Sequence, residues 1–252
     1  MKGYESMTNL KIHPIPLFTI IDPQGKSRMT HQHYFGEDIQ VCCFTWYIEG
    51  TEKKILVDAG GTADTVIARG RPKDNVTHIQ TIEEGLAKYN LKPDDIDIVI
   101  VTHLHLDHIE LGYKFVNARF VVQEDELEFA SNPELAREGY VKESYQGLNF
   151  DTVKGDVQII KGIKLLFTPG HSAGGQSVAV DTEKGIAVIP GFCCIGENFE
   201  PSEEIKKKTP FIIPGIHLSV SKARESMVKV IEAADFIIPL HEPKYADIST
   251  IP

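Results

Sequence analysis

The chain has 252 residues, 42% of them hydrophobic and 25% charged, with a formal net charge of −10. That is the make-up of a folded globular protein long enough to bury a full core, and its acidic balance lacks the cationic face that nucleic acid or an anionic membrane surface requires. No run approaches the length of about 18 apolar residues that spans a bilayer, and residues 1–10 carry no basic start followed by an apolar stretch, so neither a transmembrane helix nor a signal peptide is expected.

In chain order, residues 11–21 read as a strand whose Pro14 and Pro16 make it an edge or opening strand. Residues 41–48 are β-branched and aromatic, a buried strand, and 53–57 return from the turn at 49–52 to complete a hairpin. Ile79, Ile82, Leu86 and Tyr89 recur at helical spacing and predict a helix closed by Asn90 and Pro93. Residues 96–101 form a continuous apolar run of strand length, consistent with burial on both faces, and 102–108 leave it as a loop. A short strand at 119–122 and a helix at Glu124–Ser131 follow, and 132–152 reads as helix plus loop.

The second half has hairpins at 157–167, around Lys161-Gly162, and at 177–189. An irregular stretch at 190–215 precedes a helix marked by Val220, Ala223, Met227, Val230, Ile231 and Ala234, with Ser219 or Ser221 as its N-cap. Residues 236–240 read as a last buried strand. Hairpins alternating with isolated helices fit packed sheets with helices outside. The four cysteines form two adjacent pairs, Cys42-Cys43 and Cys193-Cys194, which read as reduced thiols in buried strands of a cytoplasmic protein.

The chemistry concentrates in Thr102-His103-Leu104-His105-Leu106-Asp107-His108. A tight loop at a strand end directs alternate side chains one way, so His103 and His105 can share a cation while Asp107 and His108 turn to a neighbouring point. Imidazole nitrogen with carboxylate oxygen suits zinc and similar divalent ions. His171 and His241 each follow a predicted strand, as ligands from distant parts of the chain would.

This pattern resembles the metallo-β-lactamase superfamily, and within it the acyl-homoserine lactone lactonases. The resemblance rests on Leu56-Val57-Asp58-Ala59-Gly60, the 102–108 motif, Thr168-Pro169-Gly170-His171, Gln176-Ser177, Glu197-Asn198-Phe199-Glu200 and the late His241. It implies one domain over residues 1–252, an α/β fold built as a four-layer αββα sandwich, with two divalent metals at one edge of the sheets. His103, His105 and His171 would hold the first metal, and Asp107, His108 and His241 the second, with Asp58 beneath them or simply forming a turn. Zinc is the expected metal, while iron, manganese and cobalt suit the same ligands.

The implied activity is hydrolysis of an ester ring by a hydroxide generated at the metals, the quorum-quenching reaction on a signalling lactone, with Asp107 orienting the nucleophile and carrying a proton. Rival readings are a thioesterase or cyclic amide hydrolase of the same fold, and a metal-binding module whose site has decayed. The implied partner is a small molecule, with neither nucleic acid nor membrane, and exposed aromatics such as Tyr145 and Phe150 suit a homodimer.

One departure stands out. The lactonases carry an aspartate after the fourth strand that bridges both metals, followed shortly by a tyrosine that contacts the substrate carbonyl. Here Gly191 or Phe192 takes the aspartate's place and Cys194 the tyrosine's. Cys193 or Cys194 either supplies a thiolate ligand or packs in a strand. His217, on the irregular stretch, either lines the pocket or is a solvent-exposed loop residue.

Overall fold

The computed structural model describes residues 8–132, 134–135 and 139–252, so most of the expectation for residues 1–10 lies outside it. Seven strands form the larger sheet: β1 (Lys11–Asp22), β2 (Ile39–Glu49), β3 (Ile55–Val57), β4 (Val76–His78), β5 (Ile98–Ile100), β6 (Arg119–Gln123) and β7 (Phe150–Val153), in the order β4-β1-β2-β3-β5-β6-β7. Five form the smaller: β8 (Val157–Ile160), β9 (Ile163–Phe167), β10 (Gln176–Thr182), β11 (Gly185–Ile189) and β12 (Phe236–Ile237), in the order β12-β11-β10-β9-β8.

Period-two alternation builds the layers. Along β2, Cys42, Phe44, Trp46 and Ile48 enter the core shared with the smaller sheet, where Leu165, Val178 and Ile189 meet them. The intervening Cys43 and Tyr47 enter a second core beneath the outer helices, with Ile82, Leu86 and Ile109. The short strands β3 and β5 split the same way, Val57 and Ile100 on one face against Leu56 and Val99 on the other. Such strands are apolar throughout because both faces are covered. The helix Val220–Ala233 packs its Ala223, Met227 and Val230 against the smaller sheet, completing the αββα sandwich.

Several elements depart from the sequence reading. β1 lies inside its sheet, but β4 pairs only with Phe18–Ile20, so the flank carrying Pro14 and Pro16 has no ladder to disrupt. The helix expected from Ile79 begins at Ile82, because Thr81 and Glu84 form a reciprocal capping box and Ile79 is left exposed after β4. The 132–152 stretch holds a short helix, Lys142–Tyr145, and then strand β7; its residues 133 and 136–138 lie outside the described residues. Only Phe236 and Ile237 of the last predicted strand are paired, since Pro239 interrupts it.

Ser219, not Ser221, caps the long helix by accepting the Lys222 N–H. Tyr145 is buried, its hydroxyl donating to the Ala130 carbonyl, and Phe150 packs on Phe120 at 5.9 Å. Neither aromatic offers the exposed surface expected for a homodimer.

Candidate metal centre

Strand ends from both sheets meet at one edge. β3 leads into Asp58, β9 to His171, β11 to residues 191–194, and β12 to His241; β5 runs into 102–105, but the loop expected through 108 is cut short by a helical turn, Leu106–Ile109, that carries Asp107 and His108. At Gly170 (φ +131°) a Cβ would fall 2.3 Å from the Ala223 backbone nitrogen, so glycine there lets the long helix close against the His171 loop.

Two donor groups result, each with ligand atoms within 4.8 Å of one another: His103, His105 and His171, then Asp107, His108 and His241. In the first, His103 Nε2 lies 3.1 Å from both His105 Nδ1 and His171 Nε2. Nitrogens about 2.0–2.1 Å from a tetrahedral zinc would be roughly 3.4 Å apart, so this spacing suits the ion. In the second, Asp107 Oδ2 is 3.3 Å from His108 Nε2 and 3.9 Å from His241 Nε2. The His103 and His108 rings are 4.2 Å apart, which makes the two groups neighbours.

The outer ring nitrogens fix the tautomers. His171 Nδ1–H donates to the Ile216 carbonyl at 2.7 Å, and His241 Nδ1–H to the Cys42 carbonyl at 3.1 Å. His108 Nδ1–H donates to Asp58 Oδ2 at 2.8 Å. The Thr102 hydroxyl spends its one hydrogen on Asp58, at 2.9 Å, so its oxygen accepts from His103 Nδ1–H at 3.1 Å. His103, His171 and His241 therefore turn lone pairs inward, and those of His103 and His171 face each other at 3.1 Å, an arrangement a cation satisfies and a packed core does not.

Burial, reinforced by the surrounding imidazoles, holds His103 and His171 well below their usual range, and burial brings His105 down to about 4. These rings are neutral and ready to ligate. Burial also works against charge on His108, but Asp107 and Asp58 outweigh it and push that ring up to about 10. Burial disfavours the charge of Asp107 as well; His108 and His241 prevail and keep it ionised.

Asp58 is both of its anticipated alternatives. It turns the chain at φ +61°, and its buried carboxylate orients His108 directly and His103 through Thr102. The thiolate alternative is overturned. Cys194 is fully buried in the sheet core and Cys193 sits against Met29 Sδ at 3.3 Å; neither joins a donor group. Burial raises both thiols, Cys193 to about 12. Phe192 also points into the core. At Gly191 a Cβ would fall 1.9 Å from the Gln176 carbonyl oxygen, so the place of the bridging aspartate admits no side chain at all. His217 packs edge-on against His31 at 4.7 Å and does not line the cleft, while its neighbour Ile216 does.

Glu126 is a site residue that the sequence conceals. Its carboxylate is fully buried and accepts Leu104 N–H at 2.9 Å, Gly174 N–H at 2.8 Å and Tyr140 O–H at 3.0 Å. It thus fastens the 102–108 loop to the His171 loop, and Tyr140 packs edge-on against His105 at 4.7 Å. In the sequence it sits in an acidic first helical turn, Glu124-Asp125-Glu126, which resembles an ordinary solvated helix start.

A cavity of about 150 Å³ opens beside the second group. Asp107 and His241 line it, Phe18, Ile20, Met29 and Val41 contribute apolar wall, and Asp22, Arg28 and Arg71 also line it.

Comparisons with known proteins agree with this geometry. The chain is 31% identical over 224 residues to an N-acyl homoserine lactonase of Bacillus thuringiensis subsp. kurstaki, covering 82% of this chain and 86% of the relative. A probable metallo-hydrolase of Methanocaldococcus jannaschii is 31% identical over 161 residues, 64% of each chain. A crystal structure of a quorum-quenching N-acyl homoserine lactone lactonase superposes with a TM-score of 0.76 at 25% identity, over 96% of both chains. One of an N-acyl homoserine lactone hydrolase, with the product N-hexanoyl-L-homoserine at its catalytic metal centre, gives 0.74 at 26%, over 95% of both. The model of the metallo-beta-lactamase superfamily matches residues 42–191, more than half of the sequence, and the chain belongs to that superfamily.

Proposed function

We propose that this metal-dependent hydrolase opens an ester ring of the N-acyl homoserine lactone kind, with His103, His105 and His171 holding one divalent cation and Asp107, His108 and His241 a second. The observation that carries the reading is the pair of adjacent donor groups, with lone pairs of His103, His171 and His241 turned inward by outer hydrogen bonds. Zinc is our choice for both cations, and when bound they acidify water to give a nucleophile at neutral pH and polarise a carbonyl.

The remaining work falls to the chain. The Asp107 side chain, 39% exposed, faces the cavity and stays ionised, so it can take a proton from the nucleophile and pass it to the departing alkoxide. Asp58 and Glu126 hold the ligands in place from behind, and the apolar wall receives the acyl part. The lactonase relatives, named for acyl-homoserine lactones, support the choice of substrate. We place the protein in the cytoplasm, a reading its four unbridged cysteines support.

The test is metal analysis followed by a panel of lactone, thioester and β-lactam substrates. We expect lactone turnover to exceed the others and to be lost in H103A and H105A. Turnover that survives both replacements ends the proposal. Metal without turnover of any substrate would leave the inert metal-binding module.

A further inference from the structure

Two guanidiniums, Arg28 and Arg71, and the carboxylate of Asp22 line the same cavity as Asp107 and His241. Arg71 engages both oxygens of Asp22, at 2.7 and 3.1 Å, and so satisfies that carboxylate in the fork geometry arginine favours. Arg28 reaches the same Asp22 through one nitrogen at 3.4 Å, and its side chain is 57% exposed. One carboxylate between two guanidiniums leaves a surplus positive charge, and most of the donors of Arg28 are not spent on Asp22. The neighbouring Lys26 does not share this role, since Glu37 and Glu197 hold it at 3.1 and 3.0 Å.

Two guanidiniums sharing one nearby carboxylate on a largely apolar cavity are unexpected in a chain of net charge −10. A methyl-ended acyl chain would leave Arg28 with nothing to bind. A carboxylate-ended chain would meet its planar fork, as Asp22 already meets that of Arg71. We propose that the site takes short-chain lactones or esters whose acyl part ends in a carboxylate, received by Arg28 beside the Asp22–Arg71 pair.

This rests on the proposed hydrolysis, and the two are separated by measuring binding and turnover independently. The binding probes are adipamate and hexanamide, amides of equal chain length with no ester to cleave, titrated calorimetrically into the metal-loaded protein. The substrates are adipoyl- and hexanoyl-homoserine lactone. We expect the carboxylate-ended member of each pair to be favoured about fivefold, in affinity and in kcat/KM, as a partly exposed ion pair supplies.

In R28Q both ratios should fall to near unity, with R28K intermediate. A wild-type binding ratio near unity, or one that R28Q leaves intact, overturns the carboxylate subsite. Arg28-dependent adipamate binding without turnover of either lactone upholds the subsite and refutes the hydrolysis of lactones.

Discussion

Asp58 Oδ2 accepts the Nδ1–H of His108 at 2.8 Å, and through this one bond a buried carboxylate sets which nitrogen of His108 faces Asp107. Asp58→Asn tests the relationship. Asparagine tolerates the left-handed backbone at φ +61°, so the turn survives. Its one amide oxygen cannot serve the Thr102 N–H on one side and the Thr102 hydroxyl and His108 on the other, as the two carboxylate oxygens do. We expect metal affinity at the second group to fall roughly 10–100-fold, with thermal stability falling much less, as read by chelator competition and thermal unfolding.

Glu126→Gln should loosen the first group. The carboxylate accepts from Leu104, Gly174 and Tyr140, and a single amide oxygen cannot serve both backbone donors in place of two carboxylate oxygens. One buried N–H is left unpaired, a cost of about 1–3 kcal/mol. A drop in unfolding free energy of that size, together with weaker retention of one equivalent of metal, is the expected outcome. Unchanged values for both would mean the two loops are held by other contacts.

Restoring an aspartate by Gly191→Asp should not rebuild a bridge between the groups. A Cβ at 191 meets the Gln176 carbonyl oxygen at 1.9 Å, and that backbone belongs to β10. We expect a loss of about 2 kcal/mol or more, or failure to fold, and no gain in metal affinity. A stable variant with tighter metal binding would show that the backbone can yield there.

The metal-free protein should be most stable near pH 6.5. Burial lowers His103, His171, His105 and His241, so as pH falls from 6.5 toward 4 the unfolded chain binds protons these rings refuse, and stability declines. His108 behaves oppositely. Raised to about 10, it contributes stability that is complete below 6.5 and is lost as pH rises through 10. Denaturant midpoints in the presence of chelator should fall on both sides of the maximum. H108A should flatten the alkaline limb.

The donor groups were legible in the sequence because histidine and aspartate at strand ends leave few other readings, and all six anticipated residues converge. β2, β5 and β6 were legible from their apolar runs, whose alternate members face the two cores. β4 and β7 were not: Val76–His78 is short and largely exposed, and Phe150–Val153 is recruited only by pairing with β6. Glu126 is not legible because a buried carboxylate and a solvated one look alike until the fold closes over them. Tyr145 and Phe150 show the reverse, aromatics in a polar stretch of sequence that the fold draws inward.

The tie between Cys42 and His241 is mutual: the Cys42 backbone N–H donates to the His241 carbonyl at 3.0 Å, and the His241 ring Nδ1–H donates to the Cys42 carbonyl at 3.1 Å. Residues 199 positions apart are thus clasped across the finished sandwich. A nascent chain still inside the ribosome at residue 241 has no complete second donor group, whatever else has folded. Loading of that position must follow synthesis of residue 241, and a protein made in metal-poor cells should still accept the ion afterwards through the open side at Asp107.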